Sequence, residues 1–215
     1  AVVWLRNDLR IRDNPALAEA ARLVADGAVS AVVPLFTFDI GRAFGATWVG
    51  GFPRTGAHRA RFLMESVADL RASLASPAIG SGLVVGTEAP EALIPRLLGP
   101  GGAGGVVLAS AEACPEERAV EAAVAAAVSP LGASLRLVGG AGVSNTLLDA
   151  ASIAGMYGGP DFRRLPGLFT AWRKEVEAPG VWGVPRPVPA PTAGSLPLPA
   201  GDAGVDVALA KPPPA

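Results

Sequence analysis

Short, wholly apolar runs alternate along this chain with longer stretches in which apolar residues recur every three or four positions. Residues 1–5, Ala-Val-Val-Trp-Leu, are apolar throughout, which marks a strand buried on both faces. Asn14-Pro15 then opens a helix, with Asn14 as its cap and Pro15 at its first position. Leu17, Ala21 and Val24 form its stripe, and Asp26-Gly27 ends it. Residues 29–38 predict a second strand, followed by a glycine-rich loop through Gly50-Gly51-Phe52-Pro53. Residues 55–74 predict the longest helix, with Leu63, Val67, Leu70 and Leu74 on one face and Arg61 and Glu65 spaced to pair on the other. Strands at 83–86, 106–109 and 135–138 then alternate with helices at 90–98 and 115–128, the latter carrying Glu116 and Glu117 in its first turn. A last short helix is expected at 169–177.

This strand–helix alternation predicts an α/β fold, a doubly wound Rossmann-like five-stranded parallel sheet with right-handed crossovers. The α/β domain is expected to occupy residues 1–145, a divergent loop and short helix 146–177, and a proline-rich connector or tail 178–215. Ten of the last 38 residues are proline, and little there is periodic. Residue 1 is Ala and the first strand begins at once, so the natural chain is expected to extend upstream.

Composition narrows the function. Eighteen basic and nineteen acidic residues leave a net charge of −1, whereas proteins that neutralise phosphates carry a basic excess. DNA is therefore not an expected partner of this segment alone. No apolar run approaches the ~20 residues of a membrane helix. The single cysteine, Cys114, rules out an internal disulfide and a cysteine-rich zinc site, and no metal site is expected. A nucleophilic triad would have to use His58, the only histidine, and no catalytic residue is assigned.

The densest polar cluster is Arg6-Asn7-Asp8-Leu9-Arg10, with Arg12, Asp13 and Asn14 behind it. It lies beyond the carboxyl end of the first strand, where open α/β sheets place their ligand crevice. It reads equally as a ligand site or as a salt-bridge network bracing the loop. Glu112, after the fourth strand, lies at the same edge, where a carboxylate can accept from the amino and ring N–H groups of a heterocycle or stand as an ordinary loop acid. Arg54, His58, Arg59 and Arg61 crowd a helix start, which suits an anion, although a solvated helix face explains them better. Residues 99–104 match G-x-G-x-x-G formally but follow a helix and precede a strand, the wrong edge for a dinucleotide. Cys114 reads as a small packed residue, and Trp4, Trp48, Trp172 and Trp182 as packing groups.

Four segments carry a resemblance. Val3-Trp4-Leu5-Arg6-Asn7-Asp8-Leu9-Arg10-Ile11-Arg12-Asp13-Asn14-Pro15-Ala16-Leu17 closely resembles the opening of the cryptochrome/DNA photolyase family. Phe52-Pro53-Arg54-Thr55-Gly56 with Arg59 to Arg71, Glu112-Ala113-Cys114-Pro115-Glu116-Glu117, and Leu165-Pro166-Gly167-Leu168-Phe169-Thr170-Ala171-Trp172-Arg173-Lys174-Glu175-Val176-Glu177 are similar to signatures of its DASH branch. The segment Val138-Gly139-Gly140-Ala141-Gly142-Val143-Ser144-Asn145 and residues 146–159 depart from the family pattern.

The resemblance implies that this is the N-terminal antenna domain of a blue-light-absorbing protein. In many such proteins a folate, methenyltetrahydrofolate, sits between the two domains and passes excitation to FAD. FAD, the lesion pocket and DNA contact belong to a C-terminal helical domain, the implied partner, that this chain does not encode. By position Glu112 matches a family acid associated with folate, and Arg6, Asn7, Asp8 and Arg10 are carried over as cleft-lining. A stand-alone folate-binding or partner-docking module is the alternative.

Overall fold

The computed structural model describes residues 1–46, 50–99, 104–112, 114–138, 154–159, 161, 163–178 and 187–199. Trp48, Trp182, most of residues 99–104, Ala113 and the departing segment 139–153 lie outside these. Five strands, β1 (Val2–Leu5), β2 (Val33–Thr37), β3 (Val84–Gly86), β4 (Val106–Ser110) and β5 (Ser134–Val138), form one sheet. Their order is β3-β2-β1-β4-β5, and every neighbouring pair is parallel. The helices are α1 (Pro15–Ala25), α2 (Ile40–Ala43), α3 (Ala57–Ala75), α4 (Pro90–Leu98), α5 (Pro115–Val128) and α6 (Phe169–Val176). The expected doubly wound α/β fold is thus the fold of this chain.

Side chains of β1 alternate between two cores, as the pleat requires. Val3 and Leu5 pack with Leu17 and Ala20 of α1 and Val67, Leu70 and Leu74 of α3. Val2 and Trp4 pack with Leu93 and Ile94 of α4 and Val124 and Val128 of α5. The first two crossover helices therefore cover one face and the next two the other. The winding reverses between β1 and β4, which are paired with Trp4 opposite Ala109. That reversal leaves a crevice at the carboxyl ends of these two strands, the position where such sheets bind ligands.

Several elements differ at their ends from the sequence expectation, each for a hydrogen-bonding reason. The strand expected from residue 29 begins at Val33. The amides of Ala28 and Val29 are taken by the carbonyl of Leu23 at the end of α1, at 2.9 and 3.3 Å, and the Val32 amide donates to Pro197 at 2.7 Å. The helix expected from residue 55 begins at Ala57: the Arg54 amide donates to the Gly45 carbonyl at 2.9 Å and the Thr55 hydroxyl to the Ala43 carbonyl at 2.6 Å, and Gly56 stays extended (ψ 168°) as the N-cap. The anticipated Arg61–Glu65 pair is present at 2.8 Å. Cys114 is exposed rather than packed, since the N-cap of α5 stands at the sheet's carboxyl edge, outside the helix–sheet interface.

The described part of the proline-rich region, residues 187–199, lies against the first core. Leu196 is fully buried there. Asp13 donates its amide to the Val188 carbonyl and accepts the Val188 amide on its carboxylate, both at 3.0 Å. Gly194 donates to Ile79 at 3.3 Å.

Candidate functional site

Each strand end delivers its polar residues to one edge. Past β1, the main chain emerges from the sheet as Arg6 and Asn7; past β4, it emerges as Ala111 and Glu112. Ala111 still donates to the last carbonyl of β5, at 2.8 Å from Val138, and Glu112 is the first residue beyond that ladder. Asn7 then bridges the two ends: its side-chain amide donates to Glu112 Oε1 at 2.9 Å.

Behind this bridge is a buried ion pair. Arg6 Nη1 donates to Glu121 Oε1 at 2.6 Å, and the two side chains are only 9% and 8% exposed. Glu121 Oε1 also accepts the main-chain amide of Glu112, at 3.1 Å. Arg6 donates further to the Glu117 carbonyl at 3.2 Å and lies over the Trp4 ring, 4.5 Å from its centroid. Five donors on one planar guanidinium make this multiple engagement possible. One carboxylate oxygen of Glu117 is buried without a hydrogen-bond partner.

Asp8 and Arg10 form a bidentate pair, Arg10 Nε to Asp8 Oδ1 at 2.9 Å and Nη2 to Oδ2 at 3.0 Å. Arg10 also reaches the Asp13 carbonyl at 3.1 Å. The hydrogen bonds Arg10 donates to Asp8 are the main reason its guanidinium pKa lies above the ordinary value. The loop closes on Asn14, whose carboxamide oxygen accepts from Ala16 and Leu17 at 3.0 and 3.1 Å and whose nitrogen donates to the Arg10 carbonyl at 3.0 Å. Asp13 itself takes a left-handed backbone conformation, φ 54°, which aspartate tolerates.

Asn7, Asp8, Arg10 and Glu112 thus line one open groove of about 1480 Å³, together with Leu9, Ile11, Arg12 and Asp13. Its opposite wall is the outer face of α3, with Phe62, Glu65, Ser66 and Asp69, and Ala190 and Pro191 complete it. Arg6 is not part of the lining; it is turned into the buried pair. His58 is exposed at the start of α3 and does not line the groove either. Of the basic cluster around it, Arg54 pairs with Glu116 at 2.9 Å, joining the start of α3 to the start of α5 across the same edge.

A lined groove with a carboxylate at its head, an apolar patch from Leu9, Ile11 and Phe62, and ion pairs already satisfied suits binding of a heterocycle better than acid–base chemistry. Residue reading missed Glu121. A signal was present: Glu121 falls on the same helical stripe as Val124 and Val128, three and seven positions on, where a charge is buried only with a partner.

Comparison with known proteins agrees with this fold. The family model for DNA photolyase matches residues 1–192. Cryptochrome DASH of Natronomonas pharaonis is 38% identical over 194 residues, 88% of this chain and 36% of the relative. Cryptochrome DASH of Xenopus laevis is 36% identical over 179 residues, 83% of this chain and 31% of the relative. A solved Synechocystis cryptochrome superposes with a TM-score of 0.72 at 29% identity, covering 93% of this chain and 36% of that one. An archaeal photolyase from Sulfolobus tokodaii, described with two FAD molecules, superposes at 0.59 and shares the fold at 16% identity. The chain spans about a third of the length of these curated relatives. With the family model matching most of its length, this chain belongs to the cryptochrome/photolyase family, similar to the DASH cryptochromes, and corresponds to their N-terminal α/β domain.

Proposed function

We propose that this domain is the antenna-chromophore domain of a blue-light-absorbing protein, and that Glu112 holds a folate-type heterocycle, methenyltetrahydrofolate, in the crevice. The observation that carries this reading is the position of Glu112 at the switch between β1 and β4, lining the groove. Its Oε1 is engaged by Asn7, and no other described side chain takes Oε2. Each carboxylate oxygen accepts more than one hydrogen bond, so the donor set of a pterin ring still fits. Leu9, Ile11 and Phe62 offer an apolar surface for the ring, while Asn7, Asp8 and Arg10 line its polar side. Such a ring, when bound, supplies near-ultraviolet absorption and passes excitation to a flavin.

FAD, photoreception or light-driven repair of pyrimidine dimers, and DNA contact are assigned to a helical domain of the parent protein. The exposed apolar side chains of Leu168 and Phe169, at the start of α6, offer it a surface. Docking as a stand-alone module would use that same surface.

The test is titration of the purified chain with methenyltetrahydrofolate, followed by absorbance. Wild type is expected to bind with a saturable change in the band, and Glu112→Gln to bind about tenfold more weakly. Equal binding by the two proteins would overturn the role of Glu112. Light-dependent dimer reversal by the isolated chain would overturn the assignment of repair to the helical domain.

A further inference from the structure

We infer that Glu121, which does not line the crevice, is a positioning residue for Glu112: charged against Arg6, it anchors the Glu112 main chain so that the Glu112 side chain is presented to the ligand. The inference rests on the proposed role of Glu112.

Glu112 is the first residue whose amide has left the sheet ladder, so nothing in the sheet fixes its direction. Two groups do so instead. Glu121 Oε1 accepts its amide at 3.1 Å, and Asn7 Nδ2 donates to its carboxylate at 2.9 Å. Glu121 comes from the second turn of α5, and Arg6 and Asn7 from the end of β1. The orientation of Glu112 is therefore set by two elements that meet only in the folded domain.

Stability alone does not account for the ion pair. Exchanging a buried pair for apolar residues of similar volume is often neutral or stabilising, so the presence of the pair is weak evidence for a stabilising role. Here the pair supplies what an apolar core does not, a charged acceptor for the Glu112 amide. Charge-assisted bonds to main-chain N–H groups are among the stronger ones, and a neutral acceptor holds the amide less firmly. Arg6 in turn keeps the Glu121 charge from facing Glu112 uncompensated. Its own position is fixed by the Glu117 carbonyl and the Trp4 ring.

The experiment uses the full chain, with methenyltetrahydrofolate as the probe, and compares Glu112→Gln, Glu121→Gln and the apolar double variant Arg6→Met with Glu121→Leu. Glu121→Gln keeps shape and removes charge. It is expected to weaken binding about tenfold and to move the absorption band of the bound probe. Amide hydrogen exchange at Glu112, read without ligand, is expected to quicken by about tenfold while Val107 to Ala109 keep their protection. The double variant is expected to unfold at a denaturant concentration close to wild type and still to bind weakly, which a merely structural role would not produce. Wild-type affinity and exchange in Glu121→Gln would overturn the inference, and so would recovery of binding with stability in the double variant. If Glu112→Gln binds as wild type, the role of Glu112 falls, and the inference about Glu121 falls with it. If Glu112→Gln alone weakens binding, the role of Glu112 stands and that of Glu121 is overturned.

Discussion

Asp13 and Val188, 175 positions apart in the chain, hold each other by two hydrogen bonds of 3.0 Å. One end of this contact is the loop that walls the groove; the other is the proline-rich region. Residues 187–199 therefore brace the candidate site as well as covering the first core.

Leu196 is the anchor of that bracing. It is fully buried beside the side chains of α1 and α3, and the neighbouring Pro197 carbonyl takes the Val32 amide. Leu196→Ala is expected to cost about 2–5 kcal/mol, the range for a buried leucine truncation. Urea denaturation measures it. A loss below about 0.5 kcal/mol would mean that the segment contributes nothing to the domain.

Breaking the Arg6–Glu121 pair from one side leaves a buried charge without its partner. Arg6→Ala and Glu121→Ala are each expected to destabilise the domain by about 3–5 kcal/mol. The same denaturation assay decides this, and a cost under about 1 kcal/mol would show that water compensates the remaining charge.

Asn14 does two things at once: it caps α1 and ties the cap to the Arg10 carbonyl. Replacement by Ala is expected to cost about 1–2 kcal/mol, towards the upper end for a cap because the residue is buried. Asn14→Asp keeps the acceptor and loses the donor, so its stability should fall between Ala and wild type.

Acid is expected to weaken the fold through Glu19 and Glu91. Hydrogen bonds from Arg22 to Glu19, seconded by Arg136, and from Arg42 to Glu91 hold both carboxyls below their ordinary value of 4.5. A group with a lowered folded pKa contributes its stability above the unfolded value and loses it as pH falls through the folded one. Urea midpoints should thus be level from pH 7 to about 5 and decline below about 4.5. Glu91→Gln should flatten part of that decline, and an unchanged slope would remove Glu91 from the account.

Much of the fold is written in local pattern. The alternation of apolar runs with helical stripes, the Asn14-Pro15 start and the Asp26-Gly27 stop are nearest-neighbour signals, and the five strands and their crossover helices stand in the order those signals put them, with shifted ends at the second strand and the longest helix. Parallel strands buried on both faces read as continuous apolar runs, so β1 and β4 were plain. The short α2 carries no stripe of its own and was not legible.

The candidate site was legible only as a list of residues at one edge. That Asn7 meets Glu112 follows from β1 and β4 being neighbours, a pairing across more than a hundred positions that periodicity does not encode. Arg6 and Asn7 are adjacent in the list, yet the structure sends one into the buried pair and the other to Glu112, because consecutive residues leaving a strand point to opposite sides.

The sequence by itself determined the class of fold, the edge of the sheet that carries the polar residues, and the family signatures. Tertiary structure alone decided which charges are buried, that Glu121 stands behind Glu112, and that Leu196 lies in the core rather than in a free tail. The reason is physical: local pattern sets how each segment buries its own apolar face, whereas buried charges and returning segments are stabilised only by partners brought from distant parts of the chain.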